Sequence, residues 1–253
     1  MLSQIINLNL FAFLLIFVRL GTAMSVMPGF GSMQVPVPIR LTFALLISFL
    51  LTPVLLPVLP GEPTSASLLA LLIVTEAVVG LFLGIIPRIF MASLQTAGTI
   101  LALVSSMSNA FTQDPISESQ SSVLSTFIST AGITLVFVTN THHLMLAAVV
   151  DSYTLFAPTS VPLIGDMSDY IAHRVADSFR IGLQIASPLI VSGLAYYIVL
   201  GIMGRLMPQL PVFFFGMPIQ IALQFWILIS SFSVMMLVFM RYFENGLHAF
   251  GSF

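Results

Sequence analysis

The chain has 253 residues, of which 58% are apolar and only 6% charged, with a net charge of −2 and a mean hydropathy of +1.10. A soluble domain carries about a quarter charged residues, so this composition excludes a solvated globule and leaves an integral membrane protein or a subunit buried in a hydrophobic assembly. Seven dispersed arginines with no lysine exclude a basic nucleic-acid footprint, and the absence of cysteine excludes disulfides and thiolate metal sites.

Ile5 to Met27 is an apolar run with one charge, Arg19. No basic residue precedes Arg19, so the run reads as a retained first helix and not as a secretory signal. Pro28, Gly29, Gly31, Pro36 and Pro38 then make a turn-rich connection ending at Arg40. Leu41 to Leu59 is free of charge and is expected to bend or end near Pro53 and Pro57, before the loop Pro60-Gly61-Glu62-Pro63. Leu68 to Ile86 carries Glu76 near its middle and the spacing Gly80-x-x-x-Gly84, which lets a neighbouring backbone come close. Pro87-Arg88 predicts a kink or turn, with helix continuing over Ile89 to Val104.

Ser105 to Ser122 is the long polar interval of the first two thirds, with Met107, Phe111 and Ile116 set among serines. It reads either as an exposed loop between spans or as a segment folded into a pore. Val123 to Val150 is charge-free through His142 and His143, and Asp151 to Asp177 reads as an extra-membrane connection that enters an amphipathic helix. The chain closes with two apolar arms, Ile181 to Met203 and Val212 to Met240, joined by the stretch Arg205 to Pro218. Pro208 and Pro211 predict a reversal there, and each arm exceeds the roughly 20 residues that cross a bilayer core. The predicted fold is an all-α membrane protein of long helical hairpins with proline-kinked helices, about six or seven helical segments in one domain over residues 1–253.

Ionisable groups inside apolar segments are costly, which makes Arg19 and Glu76 candidates for a role. Three readings fit them: mutual neutralisation across two helices, a proton or substrate relay, or an interface. His142 and His143 are adjacent and expected to point in different directions, with no acidic or thiol cluster nearby in sequence, so no metal site is expected. No nucleophile elbow and no glycine-rich phosphate loop occurs, so neither a catalytic residue nor a cofactor is expected. On residues alone, an ion-coupled small-solute transporter with Arg19 and Glu76 as its relay, and an assembly scaffold without moving parts, both fit.

The ordered set Arg19, Pro28, Val35-Pro36, Arg40, Glu76 and Gly80-x-x-x-Gly84 resembles the opening half of the FliR family of flagellar export subunits and their type III secretion counterparts. Asn140 through His142 to Asp151-Ser152-Tyr153 is similar to that family's stretch before its last hairpin, and Arg205-Leu-Met-Pro-Gln-Leu-Pro-Val-Phe is its most recognisable signature. Pro211 stands where the family often has asparagine, and Thr141 where it often has glycine.

The resemblance covers essentially the whole chain. It implies a subunit of an export gate in the bacterial inner membrane at the flagellar basal body, assembled with P and Q subunits (FliP, FliQ) and an FlhB-type subunit, and passing unfolded flagellar proteins. It further implies a P-like part over residues 1–175 and a Q-like hairpin over 176–253. Residues 105–122 match the family's pore plug, with Met107, Phe111 and Ile116 as plug residues. Arg205, Pro208, Gln209, Pro211 and Phe213 match its cytoplasm-facing loop toward the FlhB-type partner. An alternate-span count that keeps Arg40, Arg88, Arg174 and Arg241 inside would instead put Arg205 outside. The resemblance carries more weight for this loop than seven arginines do.

Overall fold

The computed structural model describes residues 2–61, 63, 65–105, 123–158, 164–207 and 212–251. Among the described residues seven α-helices follow one another: α1 (Leu2–Val26), α2 (Val37–Leu55), α3 (Ala66–Val104), α4 (Val123–Val138), α5 (His142–Leu155), α6 (Ile164–Leu206) and α7 (Val212–Gly251). A short 3-10 helix, Leu56–Val58, extends α2, and no strand occurs among the described residues.

Local chemistry sets several of these boundaries. Pro38 stands in the first turn of α2, where its missing N–H costs nothing, and α2 gives way to the 3-10 turn that holds Pro57. Ser65 caps α3: its hydroxyl accepts the N–H of Leu68 at 3.3 Å, three residues on. Between α4 and α5 the chain turns by 70° at Asn140, whose φ of 60° lies in the left-handed region that asparagine tolerates better than most residues. Asp166 in the first turn of α6 and Arg205 in its last complement the helix dipole.

Helix α3 runs through Pro87 for 39 residues, so the helix continues over Ile89 to Val104 without a reversal. Three expectations change. The apolar run Val123 to Val150 is two helices, broken where Asn140 takes its positive φ. Much of the connection expected over Asp151 to Asp177 is helix, since α5 runs to Leu155 and α6 already begins at Ile164. Pro218, expected in the last connection, lies inside α7, which begins at Val212 after α6 ends at Leu206.

Two compact units form. The first gathers residues 1–89, 140–174 and 245–253, the second 90–139 and 175–244. In the first, Phe11 and Leu15 pack on Leu72, and Ile16 packs on Leu55 and Tyr153, with Leu59 against both groups. In the second, Phe90, Phe239 and Phe243 are fully buried, with Phe243 5.8 Å from Phe90 and 5.7 Å from Phe239 between ring centres.

Among the described residues, four helical stretches are long and apolar enough to cross a membrane, or five if the bent pair α4 and α5 counts as one. Helices α3, α6 and α7 have 39, 43 and 40 residues. At 1.5 Å per residue each runs about 60 Å, twice a bilayer's hydrocarbon thickness of about 30 Å.

Candidate functional site

The site grows from one face of α3. Glu76, Gly80 and Gly84 are four residues apart and therefore lie one above another along the helix. A Cβ added at Gly80 would sit 2.3 Å from the backbone oxygen of Arg19, and one at Gly84 would sit 2.5 Å from that of Ala23. Only hydrogen fits at either position. The pairing of 80 with 19 and of 84 with 23 also means that α1 and α3 run in the same direction where they touch.

This close approach brings Glu76, one turn before Gly80, within reach of the Arg19 side chain. The guanidinium donates from Nε to Glu76 Oε2 at 2.5 Å and from Nη2 to Oε1 at 3.0 Å, the two-pronged geometry that suits arginine to carboxylate. Helix α5 completes the shell. Arg19 Nη1 donates to Ser152 Oγ at 3.0 Å, and Nη2 donates to the Phe156 carbonyl at 2.9 Å, just past the helix end. The Tyr153 ring lies under the guanidinium, 3.8 Å from its central carbon, a cation–π contact. Arg19, Glu76 and Ser152 are each about 1% exposed.

A buried charge is tolerated only when paired and hydrogen-bonded, and Arg19 meets both conditions. Its bonds reach one carboxylate, one hydroxyl and one carbonyl; the last two do not titrate. The arrangement ties α1, α3 and α5 together.

The other expected residues lie elsewhere. Arg205 is exposed in the last turn of α6. Phe213 falls in the first turn of α7, while Pro208, Gln209 and Pro211 lie outside the described residues, as do Met107, Phe111 and Ile116. His142 and His143 start α5, and against expectation their rings meet, 4.2 Å between centres and tilted by 35°. Both belong to the first turn after the Asn140 bend, where the ideal 100° separation of neighbours still allows ring edges to touch. No group of three metal-ligating side chains occurs among the described residues.

Ser152, Tyr153 and Phe156 were not foreseen as partners of Arg19. The signal was present in part, since Ser152-Tyr153 is a polar pair closing an apolar run. Gln220 and Gln224 were missed as well. They are two amides four residues apart in an apolar helix, both about 1% exposed, and a search centred on charge passes over them.

Long apolar helices clasped by a buried ion pair define an all-α membrane protein. Residues 10–246 match the model of the family "Bacterial export proteins, family 1", and the chain belongs to that family. It is 36% identical over 236 residues to the flagellar biosynthetic protein FliR of Caulobacter vibrioides, covering 93% of this chain and 94% of that one. To FliR of Bacillus subtilis it is 32% identical over 241 residues, 92% and 90% of the two chains. To FliR of Escherichia coli it is 29% identical over 207 residues, 80% and 77% of the two chains.

Proposed function

We propose that this chain is a subunit of the flagellar type III protein export gate, forming part of the protein-conducting pore and plugging it in the closed state. The observation that carries this reading is the nearly end-to-end match to proteins named for flagellar biosynthesis. Two physical features support it. Helices twice as long as a bilayer is thick need protein as well as lipid around them. On α6, Leu194, Ile198, Ile202 and Leu206 recur every fourth residue and are 56–73% exposed, an apolar stripe suited to lipid or to sister subunits.

The partners are FliP, FliQ and an FlhB-type subunit, and the place is the bacterial inner membrane at the flagellar basal body. Residues 1–175 take the P-like role and residues 176–253 form the Q-like hairpin. Met107, Phe111 and Ile116 plug the pore, a seal for which methionine's flexible side chain is well suited. Arg205, Pro208, Gln209, Pro211 and Phe213 face the FlhB-type subunit. Arg19 and Glu76 act as an internal tie that fixes three helices, with Gly80 and Gly84 providing the close contact. The pore itself conducts unfolded flagellar proteins and performs no bond chemistry.

The deciding experiment is the native mass of the complex purified through a tag on this chain, expressed with its neighbouring genes. A hetero-oligomer with a single copy of this subunit is expected. A lone or symmetric homo-oligomeric species would overturn the reading in favour of solute transport. Deleting Ser106 to Ser117 in the assembled complex is expected to raise ion leak without loss of assembly, and an unchanged leak would remove the plug.

A further inference from the structure

A helix end leaves its last four carbonyls without partners inside the helix. At the end of α3, Ser105 answers two of them. Its N–H donates to the Leu101 carbonyl at 3.0 Å, and its hydroxyl donates to Leu101 at 2.7 Å and to Ala102 at 3.3 Å. The Val104 carbonyl is answered from another helix: Gln220 Nε2 on α7 donates to it at 3.0 Å.

Helix α6 closes on the same spot. A Cβ added at Gly193 would stand 2.2 Å from Val104 Cγ1 and 3.7 Å from Val104 Cβ. One turn further along α7, Gln224 Nε2 donates to the Leu189 carbonyl of α6 at 3.5 Å, and Gln224 Oε1 accepts from Ser192 at 3.4 Å. Tyr196 on α6 donates to the Gly216 carbonyl of α7 at 2.6 Å. The end of α3 is thus held by shape against α6 and by a buried amide of α7, which is itself fixed to α6.

We propose that Gln220 is a positioning residue which, with Gly193, makes the end of α3 a fixed anchor that stays closed while the export pore opens. This rests on the gate reading given above. A buried carboxamide has no water to take over a lost bond, and a contact that excludes even a methyl group does not slide by small steps. Opening therefore displaces other parts of the pore and leaves the Val104 contact in place.

The chain has no cysteine, and a Cβ separation of 3.7 Å falls within the about 3.5–4.5 Å range of disulfides. Val104→Cys with Gly193→Cys, carried in the intact complex, therefore locks α3 to α6 when a mild oxidant is added. Export of flagellar subunits is expected to be equal in the oxidised and reduced states. Gln220→Leu is expected to raise ion leak on the order of tenfold, and closing the disulfide in that background is expected to return the leak to baseline.

Loss of export on oxidation, or a Gln220→Leu leak equal to that of the parent, overturns the anchor. The native mass of the tagged complex, measured on the same preparation, separates the two ideas. A hetero-oligomer beside a tight Gln220→Leu rejects the anchor alone, and a lone or symmetric homo-oligomeric species rejects the gate reading and the anchor with it. Should Gln220→Leu fail to assemble, the disulfide decides: retained export supports the anchor and lost export rejects it.

Discussion

Arg19 and Glu76, 57 residues apart in sequence, share two hydrogen bonds of 2.5 and 3.0 Å in a place where each is about 1% exposed. Their pairing is made possible by a third residue, Gly80, whose missing side chain lets α1 settle on α3. Ser152, Tyr153 and the Phe156 carbonyl then occupy the remaining faces of the guanidinium.

Removing one partner leaves the other charged and unpaired, so Arg19→Met or Glu76→Leu alone is expected to destabilise the protein by about 3–5 kcal/mol. The double variant Arg19→Met with Glu76→Leu is expected to recover most of that loss, because an apolar pair of similar volume replaces a buried ion pair at little cost. Chain abundance in the purified complex and motility are the two readouts. Recovered assembly without recovered export would make the pair a working relay instead of a tie.

At Gly80 any side chain meets the rigid backbone of Arg19, so Gly80→Leu is expected to cost about 1–3 kcal/mol or more and to dislodge the ion pair. Gly201, where nothing lies within 4 Å of an added Cβ, is the comparison: Gly201→Ala is expected to change stability by less than about 0.5 kcal/mol. Thermal unfolding in detergent distinguishes them, and equal midpoints would contradict the packing described for α1 and α3.

The bend between α4 and α5 depends on the positive φ of Asn140. Asn140→Gly is expected to be neutral or nearly so, whereas Asn140→Val is expected to lose about 1–2 kcal/mol, because a β-branched side chain clashes with its own backbone there. Protease resistance of the purified protein reports the difference, and a tolerant valine variant would show that the bend does not need the left-handed conformation.

If Arg205, Gln209 and Phe213 face the FlhB-type subunit, Arg205→Glu combined with Gln209→Ala is expected to weaken co-purification of that subunit while FliP and FliQ remain bound. Rim charges act through screened attraction, so the difference between parent and variant is expected to be largest at low salt and to narrow as salt is raised and the parent's own attraction is screened. An FlhB-type partner retained at parental levels at all salt concentrations would rule this loop out as its contact.

Much of this protein was legible in the sequence. A chain with 6% charge and 58% apolar residues has no way to face water on all sides, and uninterrupted apolar runs of more than 20 residues have only the helix with which to satisfy their backbone in a bilayer. Arg19 and Glu76 stood out because charge is rare there, and Gly80 and Gly84 because small residues at four-residue spacing mark a contact. The end-to-end order of such features also carried the family resemblance. Where helices broke was less legible: proline marks a lost hydrogen bond, yet α3, α6 and α7 run through Pro87, Pro188 and Pro218, since a long packed helix loses little overall from one missing donor. Asn140, with no proline near it, made the 70° bend instead.

The tertiary structure alone decided which polar groups meet. Sequence spacing relates residues within a helix, but hydrogen-bond partners across helices depend on register and crossing, which are set by the fit of side chains and glycines over the whole contact. That is why Ser152, Tyr153 and Phe156 emerged as partners of Arg19, and Gln220 as the cap of Val104, only once the helices were packed.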